Sequence, residues 1–297
     1  MNHNIISLLY DFDFTLSPHY MQEPLFRKYG VEGKRFWGEK EALTTDMNQK
    51  GINLDDECAY MNLILRYVRK GTFSDLSNRK LRELGQEITF FPGLPEFFPR
   101  INEMVQQHRQ YQAHNLTVEH YVISTGLKEM IAGSAIGSSI TDVFASEYSE
   151  EDGVISEIAR TVGYLKKTQF IYTINKGANK DRSIDINGVL PRELRRVPFE
   201  NMIYIGDGPT DVPCFAMLNK HQGHCFAVYN PDSESAFEKA YVLRQQGRVF
   251  DFAPADYRHG SHLSRTVEFT VKKIAEQIIQ SRDELVQKNS SAAPRHG

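Results

Sequence analysis

The sequence predicts an α/β fold: a parallel sheet covered by helices on both faces, with a helical segment inserted after the first strand. Three observations predict it. Ile5-Ile6-Ser7-Leu8-Leu9-Tyr10 holds five apolar or aromatic residues in six and runs straight into Asp11 and Asp13. A strand that apolar is covered on both faces. Further strand patterns alternate with helix patterns, as βαβ units require. Across residues 17–90 that alternation stops and only helix patterns are found, such as Cys58, Met61, Leu65 and Val68 at helical spacing.

The remaining elements follow in order. Phe91-Pro92-Gly93 marks the return from the insertion. A helix is predicted over 94–108. A strand over 118–123 ends at Ser124-Thr125-Gly126. A strand over 142–148 leads into Glu151-Asp152-Gly153, a hairpin-type turn, and Val154-Ile155 begins the return. Lys167 opens a helix over 168–175. Residues 177–200 are polar and charged and read as a surface excursion without an assigned purpose. A strand over 201–205 ends at Gly206-Asp207-Gly208, and another over 224–229 ends at Asn230-Pro231. A helix over 234–246 precedes a short strand over 248–252. The last helix, 265–288, carries Val267, Val271, Ile274, Ile278 and Leu285 near one stripe. The expected organisation is a core of 1–16 and 91–288, a helical domain of 17–90, and a disordered tail of 289–297.

Bulk properties narrow the function classes. The chain has 297 residues, 40% hydrophobic and 25% charged, enough to bury a core. Its net charge is −3 and no basic block is present, which argues against nucleic-acid or membrane-surface partners. Three cysteines, Cys58, Cys214 and Cys225, have no metal-pair spacing and form no even disulfide framework. The first apolar run ends at Asp11, too soon for a signal peptide. No stretch approaches the ~20 apolar residues of a membrane helix. The expected setting is the cytoplasm.

The chemistry is concentrated at strand ends. Asp11 and Asp13 follow the first strand, where open α/β sheets bind ligands. Two carboxylates one residue apart are costly there unless a cation or a reaction needs them. Asp is also common in plain turns after strands. The chemical reading has Asp11 attack a phosphorus and Asp13 pass protons as acid, then base. Gly206-Asp207-Gly208-Pro209-Thr210-Asp211 loads a second strand end with acid. Asp11, the Asp13 backbone carbonyl and Asp207 would offer magnesium the hard oxygen ligands it takes. Asp211 would steady a neighbour or a bound water. Ser124 and Thr125, in an ordinary Ser-Thr-Gly turn, could bind a phosphate oxygen. A lysine is needed to balance the acids when a dianion arrives. Lys166, Lys167 and Lys176 compete for that place.

Together these motifs resemble the haloacid dehalogenase-like hydrolase superfamily. Asp11-Phe12-Asp13-Phe14-Thr15 matches its first motif and Ile123-Ser124 its second. Lys167, followed by Thr168-Gln169-Phe170-Ile171, matches the third, because it begins an apolar-periodic helix as the family's lysine does. Gly206-Asp207-Gly208-Pro209-Thr210-Asp211 matches the fourth. The resemblance covers about residues 5–252, less the insertion. The first and fourth motifs are specific; the second and third are not. It implies a Rossmann-like core with an inserted C1 cap, as in the phosphoserine phosphatase-like branch. The second acid, Asp13, is absent from the dehalogenases and points to phosphoryl transfer. Residues 126–166 leave room for a helix, a strand and a hairpin, but not for a large second-type cap. The long 177–200 excursion departs from the family pattern.

The expectation is therefore a magnesium-dependent phosphomonoesterase that works on a small phosphorylated metabolite through an aspartyl phosphate. Cap residues such as Glu23 and Arg27 would select the substrate. A phosphotransferase or mutase on the same residues, and a non-catalytic ligand-binding protein on the same fold, are the rival readings. Oligomeric state is not legible in the sequence.

Overall fold

The computed structural model describes residues 3–291, with side chains described as far as 284. Strand β1 (Ile5–Tyr10) opens the chain and is almost wholly buried. The insertion follows, with helices α1 (Glu23–Lys28), α2 (Gly33–Gln49), α3 (Asp56–Arg69) and α4 (Asn78–Gly85). Next come α5 (Phe97–Gln106), α6 (Arg109–Ala113), β2 (Thr117–Leu127) and α7 (Lys128–Gly133). The hairpin β3 (Asp142–Glu151) and β4 (Val154–Arg160) leads to α8 (Tyr164–Lys176). The chain closes with β5 (Met202–Gly206), α9 (Val212–Lys220), β6 (His224–Tyr229), α10 (Glu234–Gln245), β7 (Asp251–Pro254) and α11 (His262–Ser291).

The strands form one seven-stranded sheet in the order β4-β3-β2-β1-β5-β6-β7. All neighbours run parallel except β3 and β4. Asp152 and Gly153 both have positive φ, 50° and 79°, the backbone of a hairpin turn whose twist matches its strands. β1 lies between β2 and β5, so chain connections leave it in opposite directions. That reversal creates a crevice beyond the carboxyl ends of β1 and β5.

Period-two alternation along β1 sends Ile6, Leu8 and Tyr10 to one face and Leu9 to the other. The first face is packed by α5 and α11, which bury Phe97, Phe98, Ile101, Val267, Val271 and Ile274. The second is packed by α8 and α9 through Phe170, Ile171, Ile174, Phe215 and Leu218. The insertion joins the first cluster through Phe36, Met61, Ile64 and Leu65.

Several element boundaries differ from the sequence expectation. α5 begins at Phe97 rather than 94, and α6 is separate from it. β2 continues through Ser124 to Leu127, with a register shift against β3 after Ile123. β7 begins at Asp251, later than 248. α8 begins at Tyr164, so Lys167 sits at the end of its first turn instead of opening the helix. α11 runs through Ser291, so residues 289–291 are helical rather than part of a disordered tail. Residues 292–297 and the Leu285 side chain lie outside the described residues. No described helix is long and apolar enough to cross a membrane.

Candidate active site

Register brings the two acidic motifs together. Tyr10 pairs with Ile205 across the parallel β1/β5 ladder, so Asp11 and Asp207 leave adjacent strand ends side by side. The Asp11 amide donates to the Ile205 carbonyl at 3.0 Å, extending the ladder by one bond. The chain then turns sharply. The Phe12 carbonyl accepts from the amides of Thr15, Leu16 and Ser17 at 3.2, 2.9 and 3.2 Å. Phe14 takes a left-handed φ of 59° within this turn, an uncommon conformation for a bulky residue. The turn presents Asp13, whose Oδ1 accepts from the Met21 amide at 2.9 Å.

Lys167 is wholly buried. Its Nζ lies 2.9 Å from Asp11 Oδ1 and 2.8 Å from Asp211 Oδ1. Burial opposes its charge, but Asp11 and Asp211 outweigh burial and hold the ammonium above its ordinary value. The rival lysines are engaged elsewhere. Lys166 Nζ donates to the Thr161 carbonyl at 2.7 Å. Lys176 Nζ donates to the carbonyls of Ile186 and Gly188, the latter at 2.6 Å, and ties down the excursion.

Asp211 is fully buried beneath Asp11 and Asp207. Its Oδ1 also accepts from the Tyr204 hydroxyl at 2.8 Å. Its Oδ2 is buried without a hydrogen-bond partner. A Cβ on Gly206 would stand 2.2 Å from that oxygen, so only glycine leaves room for the carboxylate.

Carboxylate oxygens of Asp11, Asp207 and Asp211 lie within 4.8 Å of one another. Burial, then Asp211 and Asp11, push the Asp207 carboxyl well above its ordinary value. Burial raises Asp11 to about 6, against the pull of Lys167 and with the push of Asp211. Burial, then the Asp11 charge, raise Asp13 to about 8. Two buried carboxylates and a half-buried one facing one ammonium carry surplus negative charge, and a buried carboxylate oxygen lacks a partner. A hard divalent cation satisfies both conditions, and oxygen-only donors suit magnesium. The residues fit the metal, with Asp11 and Asp207 as carboxylate donors and Asp211 nearer to the cluster than its supporting role in the sequence implied.

Ser124 is buried, and its Oγ accepts from the Gly126 amide at 3.0 Å. The Thr125 carbonyl accepts from the hydroxyls of Tyr60, on α3, and Ser146, at 2.8 and 3.2 Å. Gly126 leaves space for Met21, whose Cε would lie 2.2 Å from a Cβ there. Glu23 and Arg27, on α1, line a cavity of about 230 Å³ with His19, Tyr20 and Glu87, and none of the four aspartates borders it. Glu23 lies 3.5 Å from His19 Nδ1, and Arg27 is 2.7 Å from Glu87.

Sequence reading overlooked an aromatic rim. Phe14 and Tyr20 meet edge to face at 4.8 Å, and Tyr20 lies 4.8 Å from Trp37 on α2. Burial, then the charges of Asp13 and Asp207, raise the Tyr20 phenol. Tyr204 was also missed. It reads as one more apolar strand residue, and only its hydroxyl contact reveals its task.

No family model matches the chain. Over 279 residues it is 34% identical to an uncharacterized protein of Borreliella burgdorferi, covering 88% of this chain and 94% of that one. A HAD family hydrolase of Salmonella enterica subsp. enterica serovar Typhi superposes with a TM-score of 0.50 at 18% identity. That match covers 84% of this chain and 66% of the Salmonella protein. The unliganded form of a probable phosphoserine phosphatase from Vibrio cholerae superposes at 0.52 with 15% identity, covering 93% of this chain and 67% of that one. The chain belongs to one family with the Borreliella protein and has the haloacid dehalogenase-like fold. In that fold the parallel sheet carries Asp11 and Asp207 on neighbouring strand ends, with the helical insertion between β1 and β2.

Proposed function

We propose that the protein is a magnesium-dependent phosphomonoesterase that hydrolyses a small phosphorylated metabolite through an aspartyl phosphate on Asp11. The observation that carries this reading is the buried Lys167, held between Asp11 and Asp211 beside an all-oxygen acidic cluster. A structural ion pair needs one carboxylate. A lysine shared by two acids, beside two more, is a charge arrangement built to receive a dianion and its cation.

The substrate phosphoryl group binds against Lys167 and the Ser124-Thr125 turn, which neutralise and orient its oxygens. Asp11, the Asp13 carbonyl and Asp207 would hold magnesium, which would supply charge neutralisation to the transferring group. An Asp11 carboxylate oxygen attacks phosphorus, and the phosphorus–ester oxygen bond breaks. Asp13, raised to about 8, is protonated at neutral pH and gives its proton to the departing oxygen. The resulting Asp13 carboxylate then takes a proton from a water that attacks the phosphoryl group. The aspartyl oxygen–phosphorus bond breaks, which restores Asp11 and releases phosphate. Asp211 and Tyr204 position Lys167 throughout. The aromatic rim of Phe14, Tyr20 and Trp37 shares the selecting role with Glu23 and Arg27 in this proposal, because Phe14 directly follows Asp13 and packs on Tyr20, which lines the cavity of Glu23 and Arg27.

The test is phosphate release from a panel of ~100 phosphomonoesters, with magnesium and after chelation. Turnover with at least one substrate should require magnesium and vanish in Asp11→Asn, with the fold intact by circular dichroism. A tenth of wild-type turnover in that variant would remove Asp11 from the role. Transfer of the phosphoryl group to an alcohol, without inorganic phosphate, would favour a phosphotransferase.

A further inference from the structure

The excursion over residues 177–200 builds a second cavity at the opposite end of the sheet. It lies where β5 and β6 begin, whereas the acidic cluster lies where β1 and β5 end. Five residues of β5 separate them, roughly 15 Å of strand. The cavity has a volume of about 250 Å³ and is bordered by Arg192, Arg195, Glu200, Lys220, His221 and Asn175.

Its charge is set by the excursion and by the end of α9. Arg192 pairs with Glu200. Arg195 donates from Nε to the Leu190 carbonyl at 3.3 Å, and its guanidinium stands over the Phe199 ring at 6.0 Å. His221 stacks on the same ring at 4.8 Å. Lys220 is exposed and forms no ion pair among the described residues. Two cations thus remain without a carboxylate around one cavity of a protein whose net charge is −3.

The floor supplies a second, independent observation. Asn175, on α8, is fully buried. Its Nδ2 donates to the Val197 carbonyl at 2.7 Å, and its own carbonyl accepts from the Val197 amide at 3.1 Å. Its Oδ1 is buried with no partner. A buried amide oxygen left unpaired costs about 1–3 kcal/mol, and a donor from a bound molecule would satisfy it.

We propose that this cavity is a binding site for a small phosphorylated or phosphonate-like metabolite that also carries a hydroxyl or amino group. Arg195, Lys220 and His221 receive the anion, and Asn175 Oδ1 accepts from the hydroxyl or amine. A volume of about 250 Å³ lies just below the ~300–1,000 Å³ of drug-sized pockets, which selects metabolites of a few heavy atoms. The site is independent of the chemistry at Asp11.

The test uses calorimetric titration of the full chain with 2-aminoethylphosphonate and with methylphosphonate, whose C–P bonds a phosphomonoesterase does not cleave. Wild type should bind 2-aminoethylphosphonate at two sites. Lys220→Glu, on an exposed helix end, should weaken one of them at least about tenfold and leave the other unchanged. Arg195→Ala should do the same. Methylphosphonate, which lacks the donor, should bind the Lys220-sensitive site several-fold more weakly. No binding to wild type, or binding that Lys220→Glu leaves unchanged at every site, overturns the proposal. Equal affinities for the two phosphonates at the Lys220-sensitive site overturn the part given to Asn175.

Discussion

Gly85 in the insertion lies so close to Met130 in the core that a Cβ on Gly85 would stand 2.2 Å from the Met130 carbonyl oxygen. The contact is reciprocal, because a Cβ on Gly133 would stand 2.0 Å from the Arg82 carbonyl oxygen. α4 and α7 therefore touch backbone to backbone. Further bonds fasten the insertion to the hairpin. The Ile155 amide donates to the Leu76 carbonyl at 2.9 Å, and the Tyr148 hydroxyl to the Met61 carbonyl at 2.9 Å. An insertion held only by its two chain crossings would swing as one body. Here α3 and α4 are bonded to the core.

Gly85→Ala should accordingly cost about 2 kcal/mol or more, because neither backbone can retreat. Urea unfolding of the two proteins measures this. A loss under 0.5 kcal/mol would mean that the helices part easily.

Magnesium should raise the melting temperature. It relieves the repulsion among Asp11, Asp207 and Asp211, and at a hundred times its dissociation constant it contributes about 2.7 kcal/mol, roughly 5 °C here. Asp207→Asn should lose most of that rise. An equal rise in the variant would place the cation elsewhere.

Asp13→Asn should lose more rate on an alkyl phosphate than on p-nitrophenyl phosphate, since only the poor leaving group needs the proton. The ratio of kcat/KM values on the two substrates reads this directly. Equal losses would argue against acid catalysis by Asp13.

His120 predicts a pH dependence of stability away from the site. It is buried, with Nδ1 3.0 Å from the Tyr10 hydroxyl and Nε2 3.2 Å from Asn102 Oδ1. Burial pushes its pKa from 6.5 down to about 3. Between those values the unfolded chain binds a proton that the folded chain refuses. Stability is therefore full above about pH 6.5 and falls as pH drops toward 3, by about 1.4 kcal/mol per unit. Urea unfolding of wild type and His120→Gln at pH 7.5 and pH 5 should show the difference between them shift by about 2 kcal/mol, with wild type losing more. A constant difference would show that His120 titrates normally.

What the sequence determined by itself was local. The apolar run before Asp11 and the Gly206-Asp207-Gly208 turn announce strands ending in acid, because strand burial and turn chemistry act over a few neighbouring residues. Asp152-Gly153 announces its hairpin for the same reason. The choice among Lys166, Lys167 and Lys176 needed a contact between residues 167 and 211, which the packing of α8 beside α9 creates. Met21 gained its task in the same way, through Gly126 and Leu127 far along the chain, and Tyr204 through the turn that folds Asp211 back onto it. Helix starts shifted because tertiary contacts, rather than propensity, decide where a short helix frays. The fastening of α4 to α7, and the cavity under the 177–200 excursion, arise only when surfaces remote in sequence meet. A polar segment without periodicity carries no signal of what it will cover, so only the folded chain could reveal them.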